Sequence, residues 1–138
     1  MSRIGKANAL PGSGAVAVLE TPSRPPAVRH ADEVFRGIYT RAGLGLPEVV
    51  LVSSAIIGEG KTTVALGLAT ALAEDFPERR VLLVETDLQQ SVLAADFALE
   101  TSPGLADVLL DGLPLEEACR PTLVPNLDLL PGRVRSTG

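Results

Sequence analysis

The chain has 138 residues, 46% of them hydrophobic and 21% charged, with a formal net charge of −5. That length makes one domain or part of one, the apolar content excludes wholesale disorder, and the acidic balance leaves no basic field for nucleic acid, which is not expected as a partner. No run approaches the roughly eighteen apolar residues of a membrane span, and the N-terminus lacks the apolar core of a signal peptide, so a cytoplasmic setting is expected.

Residues 1–30 are rich in Pro, Gly, Ser and Ala, with Pro22, Pro25 and Pro26 close together and no sustained apolar period. They read as a disordered tail. The folded domain is expected over residues 31–133, with 134–138 as a frayed end. Asp32 is a suitable N-cap for a helix to about Ala42, which sets Val34, Ile38 and Ala42 on one face, although Gly37 weakens it. Val49-Val50-Leu51-Val52 is a continuous apolar run of the kind that suits a strand buried on both faces.

The stretch from Ala55 to Thr62, Ala-Ile-Ile-Gly-Glu-Gly-Lys-Thr, follows that run directly. It reads as a phosphate-binding P-loop with Ala in place of the first Gly. Gly58, Glu59, Gly60, Lys61, Thr62 and Thr63 are the candidate nucleotide-binding residues. The glycines let backbone N–H groups close around phosphate oxygens, Lys61 reaches the β/γ-phosphates, and Thr62 offers its hydroxyl to Mg²⁺. Residues 61–74 continue as a helix, with Val64, Leu68 and Leu72 one turn apart and Gly67 and Ala71 small enough for close packing. Its N-terminus aims unpaired N–H groups and the positive dipole end at the same phosphate.

Val81-Leu82-Leu83-Val84 gives a second apolar strand, ending in Glu85-Thr86-Asp87. In open α/β sheets ligands bind at the carboxyl ends of strands, so Glu85 and Asp87 fall beside the P-loop if the strands are neighbours. Ser102-Pro103 opens a short helix carrying Leu105, Val108 and Leu109 on one face, and Gly112 closes it. Residues 115–119 form another turn, and residues 127–130 a third short strand before Pro131-Gly132. Cys119, the single cysteine, cannot form an internal disulfide and reads as a small buried hydrophobe, while His30 has no partner cluster. The fold class is α/β, a P-loop NTPase-like three-layer domain with a parallel sheet. Three short strands make a thin sheet, so the domain reads as truncated.

In order along the chain, these residues resemble the cytoplasmic bacterial tyrosine kinases of capsular and exopolysaccharide synthesis, a family related to the division-site and partition ATPases. The resemblance rests on Glu33-Val34-Phe35-Arg36, on Ser53 through Thr63, on Leu83 through Leu88, on Gly104 through Leu109 and on Asn126 through Gly132. It covers about residues 32–132, the first half of such a kinase domain. The partition ATPases carry a signature Lys where this chain has Ile56, which favours the kinase branch.

The resemblance implies ATP and Mg²⁺ as cofactors and phosphoryl transfer to tyrosine. Lys61, Asp87 and Glu85 would be catalytic, with Thr62, Glu85 and Asp87 holding the metal. It further implies a transmembrane polysaccharide co-polymerase as activator, recruitment to the inner face of the membrane, and homo-oligomers formed through the helix of Glu33 and Arg36. The alternative is a nucleotide-binding regulatory module or partition-type ATPase without kinase activity. This chain departs from the family's pattern in several places. Glu85 stands where the family has Asp, and its extra methylene is expected to hold Mg²⁺ less well. Tyr39 stands where the family has a second Arg, and Gln89 and Gln90 where it has basic residues. Tyr39 is the only tyrosine, so the family's C-terminal tyrosine cluster is missing, as is its later acidic strand.

Overall fold

A computed structural model describes residues 32–41, 49–88 and 91–132. The tail over residues 1–30, the end over 134–138, Ala42, Gln89 and Gln90 lie outside the described residues. The elements run α1 (Asp32–Arg41), α2 (Lys61–Asp75), β1 (Val81–Val84), α3 (Leu93–Asp96), α4 (Leu105–Asp111), α5 (Leu115–Ala118), β2 (Arg120–Pro121) and β3 (Leu127–Leu130). β3 lies between the other two strands. It pairs in parallel with β1, Leu83 opposite Leu129, and antiparallel with β2. The chain is therefore mixed α/β with one parallel strand pair, β1 and β3.

The core forms where α2 and α3 lie over β1 and β3. Leu66, Ala69 and Ala73 of α2 meet Leu83, Leu127 and Leu129 of the sheet, and Leu93, Ala94, Phe97 and Val124 close the cluster. Residues 66–71 of α2 are all buried. A helix apolar on every side is one covered on two sides, and α1 supplies the second cover. A β-carbon at Gly67 would overlap the Phe35 ring, so the missing side chain is what lets α1 sit down on α2.

Phe35, only 5% exposed, is the residue of α1 that enters the core, while Val34 is 65% exposed and Ile38 sits at the surface. The face expected from Val34 and Ile38 is thus turned by one residue, because the larger aromatic side chain takes the buried position. Polar contacts fix the same orientation. Arg36 Nε donates to both carboxylate oxygens of Asp75 at 2.9 Å, its guanidinium lies 3.6 Å from Glu74, and the Tyr39 hydroxyl donates to Asp75. The Tyr39 ring meets Phe76 edge-on, with centroids 6.0 Å apart. Arg36, expected at a subunit contact, is engaged within its own chain.

The segment at 49–52 differs most from expectation. It forms no regular element and has no ladder partner among the described residues, with Val49 87% and Leu51 82% exposed. Apolar composition makes a strand only when a neighbour completes its hydrogen bonds. Here a mostly apolar cavity of about 550 Å³ lies between this segment and β1, lined by Val49, Val50, Val52 and residues 79–84. β2 is the strand the sequence did not signal, since it is two residues long and includes Pro121.

The later elements follow the expected order. Gly104 N–H donates to Asp107 Oδ2 at 2.8 Å to cap α4, and Gly112 closes that helix with φ 71°. Ala106 and Asp107 are its buried residues, while Leu109 faces out. Cys119 is half-buried rather than buried; its thiol pKa is pushed up by burial first, then by Asp128 and Glu116. Among the described residues, no helix is long and apolar enough to cross a membrane.

Candidate nucleotide-binding site

The loop leading into α2 owes its shape to two glycines. Gly58 at φ 88° and Gly60 at φ 85° are in the left-handed region, and a β-carbon at either would meet nothing within 4 Å. Backbone conformation, not crowding, selects glycine there. Val64 N–H donates to Gly60 O at 3.0 Å, which starts the helical pattern. The N–H groups at the first positions of α2, Lys61 and Thr62 among them, have no acceptor within the helix. Earlier in the loop, Glu59 Oε2 accepts from Ala55 N–H at 3.1 Å and Ile56 N–H at 3.2 Å, so the Glu59 side chain folds back on its own loop.

β1 delivers the acids. Glu85 N–H donates to Leu130 O at 3.0 Å, extending the parallel ladder by one residue past Val84. Thr86 and Asp87 then leave the carboxyl edge. A cavity of about 480 Å³ joins the two halves of the site, lined by Gly58, Gly60, Lys61, Thr62, Glu85, Thr86, Asp87, Val92 and Leu93, among others. The sheet does not place β1 beside 49–52, yet the expected neighbours meet across this cavity. Glu59 and Thr63 are not among its lining residues, and Thr63 is exposed.

Glu85, expected as a metal ligand, has its carboxylate engaged within the chain. Its residue is 5% exposed and its carboxylate accepts four hydrogen bonds. Oε1 takes Val92 N–H at 2.7 Å and Leu93 N–H at 3.0 Å; Oε2 takes the Ser91 hydroxyl at 2.5 Å and Gly132 N–H at 3.1 Å. An ionised carboxylate offers about four lone-pair sites, so these donors fill it. Its negative charge, after burial, helps push the nearby Asp96 carboxyl above the usual carboxylate range. Ser91 carried no sequence signal for this role, and Gly132 was visible only as part of a motif.

The residues that remain fit a magnesium nucleotide. Mg²⁺ takes oxygen ligands and commonly keeps water while sharing substrate phosphates, and the Thr62 hydroxyl and Asp87 carboxylate are donors of that kind. The open left-handed glycines and the Lys61 ammonium suit phosphate.

Residues 52–132 match the CobQ/CobB/MinD/ParA nucleotide binding domain. The chain belongs to this family. It is 37% identical over 81 residues to the tyrosine-protein kinase YwqD of Bacillus subtilis (strain 168), a match that covers 59% of this chain and 33% of that protein. It is 30% identical over 112 residues to the tyrosine-protein kinase ptk of Acinetobacter johnsonii, covering 75% of this chain and 15% of that one. The fold is also that of the kinase domain of Escherichia coli tyrosine kinase ETK, with a TM-score of 0.71 at 19% identity, over 88% of this chain and 51% of that domain. The chimerical protein CapA2B2 superposes with a TM-score of 0.63 at 27% identity, over 76% of this chain and 47% of that one. The chain thus spans about half of these solved structures and a third or less of the two kinases.

Proposed function

We propose that this chain is the nucleotide-binding part of a bacterial protein-tyrosine kinase of exopolysaccharide synthesis and that it binds ATP or ADP with Mg²⁺. One observation carries the reading: Lys61 and Thr62, opening α2, and Asp87, just past β1, line one cavity. The amides of Gly58, Gly60, Lys61 and Thr62 and the Lys61 ammonium hold the phosphates, as a helix N-terminus and a cation do together. Thr62 and Asp87 would be the oxygen donors for the metal, and Asp87 is also the carboxylate that would take a proton from an acceptor hydroxyl. Bound Mg²⁺ supplies charge neutralisation at the phosphate oxygens. By the family resemblance alone, the proposed setting is a cytoplasmic chain recruited to the membrane by a polysaccharide co-polymerase.

A second reading, a regulatory module that binds nucleotide without transferring phosphate, is favoured by the filled Glu85 carboxylate. Measurable tyrosine phosphorylation of an added peptide would exclude it. The shared claim is nucleotide binding. Lys61→Ala should lower MgADP affinity at least about a hundredfold in calorimetry, the loss of a charge-assisted contact to phosphate. Equal affinity in the two proteins contradicts the reading.

A further inference from the structure

We infer that Glu85 is a positioning residue of this site, fixing the backbone that presents Asp87, and is not itself a ligand of the metal. This rests on the nucleotide reading above. Turning the carboxylate toward a metal would strand its four donors, and two of those residues, Leu93 and Gly132, are buried. A buried donor without an acceptor is costly, so the carboxylate stays where it is.

What the carboxylate joins explains its role. Val92 and Leu93 open α3, where N–H groups have no acceptor in the helix itself. Gly132 follows β3, and Glu85 sits at the end of β1. One side chain therefore ties the carboxyl ends of the two parallel strands to the start of α3. Gly132 pins the same stretch independently: a β-carbon there would lie 2.7 Å from Glu85 O and 2.8 Å from Asp87 O. The backbone on both sides of Thr86 is thus held against β3's end. Asp at position 85 is one methylene shorter and cannot keep all four contacts from the same backbone. The longer side chain is the feature that makes the tie.

The test compares wild type, Glu85→Gln and Glu85→Asp in two measurements. One is the ratio of MgADP affinity with Mg²⁺ to ADP affinity in EDTA. The other is amide hydrogen exchange at Val92 and Leu93, which needs no nucleotide. Glu85→Gln keeps Oε1 for the Val92 and Leu93 amides but sets an NH₂ group against Gly132 N–H, so exchange at the two amides should stay nearly unchanged while its Mg²⁺ ratio falls no further than that of Glu85→Asp. Glu85→Asp should speed exchange at both amides by roughly tenfold and lower the Mg²⁺ ratio severalfold in the same protein, with affinity in EDTA retained. A Mg²⁺ ratio abolished in Glu85→Gln but kept in Glu85→Asp, which retains the charge, makes Glu85 a ligand and overturns the inference. Faster exchange in Glu85→Asp with an unchanged ratio makes the tie purely structural and also overturns it. If Glu85→Asp does not fold, a Mg²⁺ ratio abolished in Glu85→Gln makes Glu85 a ligand, and a ratio only partly reduced keeps it a positioning residue. A wild type that binds no ADP overturns the nucleotide reading and the positioning role with it, while exchange still reports whether the carboxylate holds α3.

Discussion

Tyr39 shows how a residue that invites a functional reading is held by ordinary chemistry. Its hydroxyl donates to Asp75 and its ring lies on Phe76. Its pKa is pushed up to about 12, by burial first and then by the Asp75 hydrogen bond and charge. A phosphate there would stand against Asp75, so Tyr39 is a poor acceptor. Incubation of the purified chain with labelled ATP and Mg²⁺ should leave it without stoichiometric phosphotyrosine, and full labelling at Tyr39 within minutes contradicts this. As the only tyrosine, it can be titrated by phenolate absorbance without interference. The midpoint should lie near 12 in the folded protein and near 10 in denaturant. The unfolded chain ionises first, so this contribution to stability is complete below pH 10 and is lost as pH rises toward 12. A folded midpoint near 10 shows that the contact with Asp75 is absent in solution.

At the scale of elements, the P-loop and α2 were legible because their information is local. Gly58, Gly60, Lys61 and Thr62 encode loop shape and chemistry by spacing alone, and Gly67 and Ala71 announce close packing. The face of α1 was not legible, because Val34 and Ile38 have the right period and only the fit of Phe35 onto Gly67 rotates the helix away from them. Glu85 was ambiguous for a different reason: the same carboxylate suits a metal or a set of amides, and the donors that surround it, from Ser91, Val92, Leu93 and Gly132, come together only in the fold. The packing at Gly132 gives an element-scale prediction. Gly132→Ala forces apart backbone atoms rather than a pliable side chain, so it should destabilise the fold by about 1–3 kcal/mol in urea denaturation. An unchanged midpoint means the ends of β1 and β3 are not held as described.

For the whole molecule, the legible part was the order of elements and the parallel pairing of their ends; the illegible part was what 49–52 would do. Val49-Val50-Leu51-Val52 has strand composition, but pairing is a property of two segments, and no described residue pairs with it. β1 is an edge strand in the order β1-β3-β2. Val81 and Glu85 N–H groups donate to Asn126 O and Leu130 O on the β3 side, so by alternation those of Leu82 and Val84 face the cavity beside 49–52. Leu82 and Val84 amides should therefore exchange at least roughly ten times faster than those of Val81 and Glu85. Equal protection at all four would mean that this edge is paired in solution.

Whether the cavity between the P-loop and the end of β1 takes a magnesium nucleotide is read most directly by amide chemical-shift mapping during MgADP addition. The largest shifts should fall at Gly58, Gly60, Lys61, Thr62 and Asp87, with smaller ones at Val92 and Leu93 and none of comparable size for adenosine, which lacks phosphate. Shifts centred instead on 49–52 and the outer edge of β1, or none at saturating MgADP in a folded protein, would contradict nucleotide binding in this cavity.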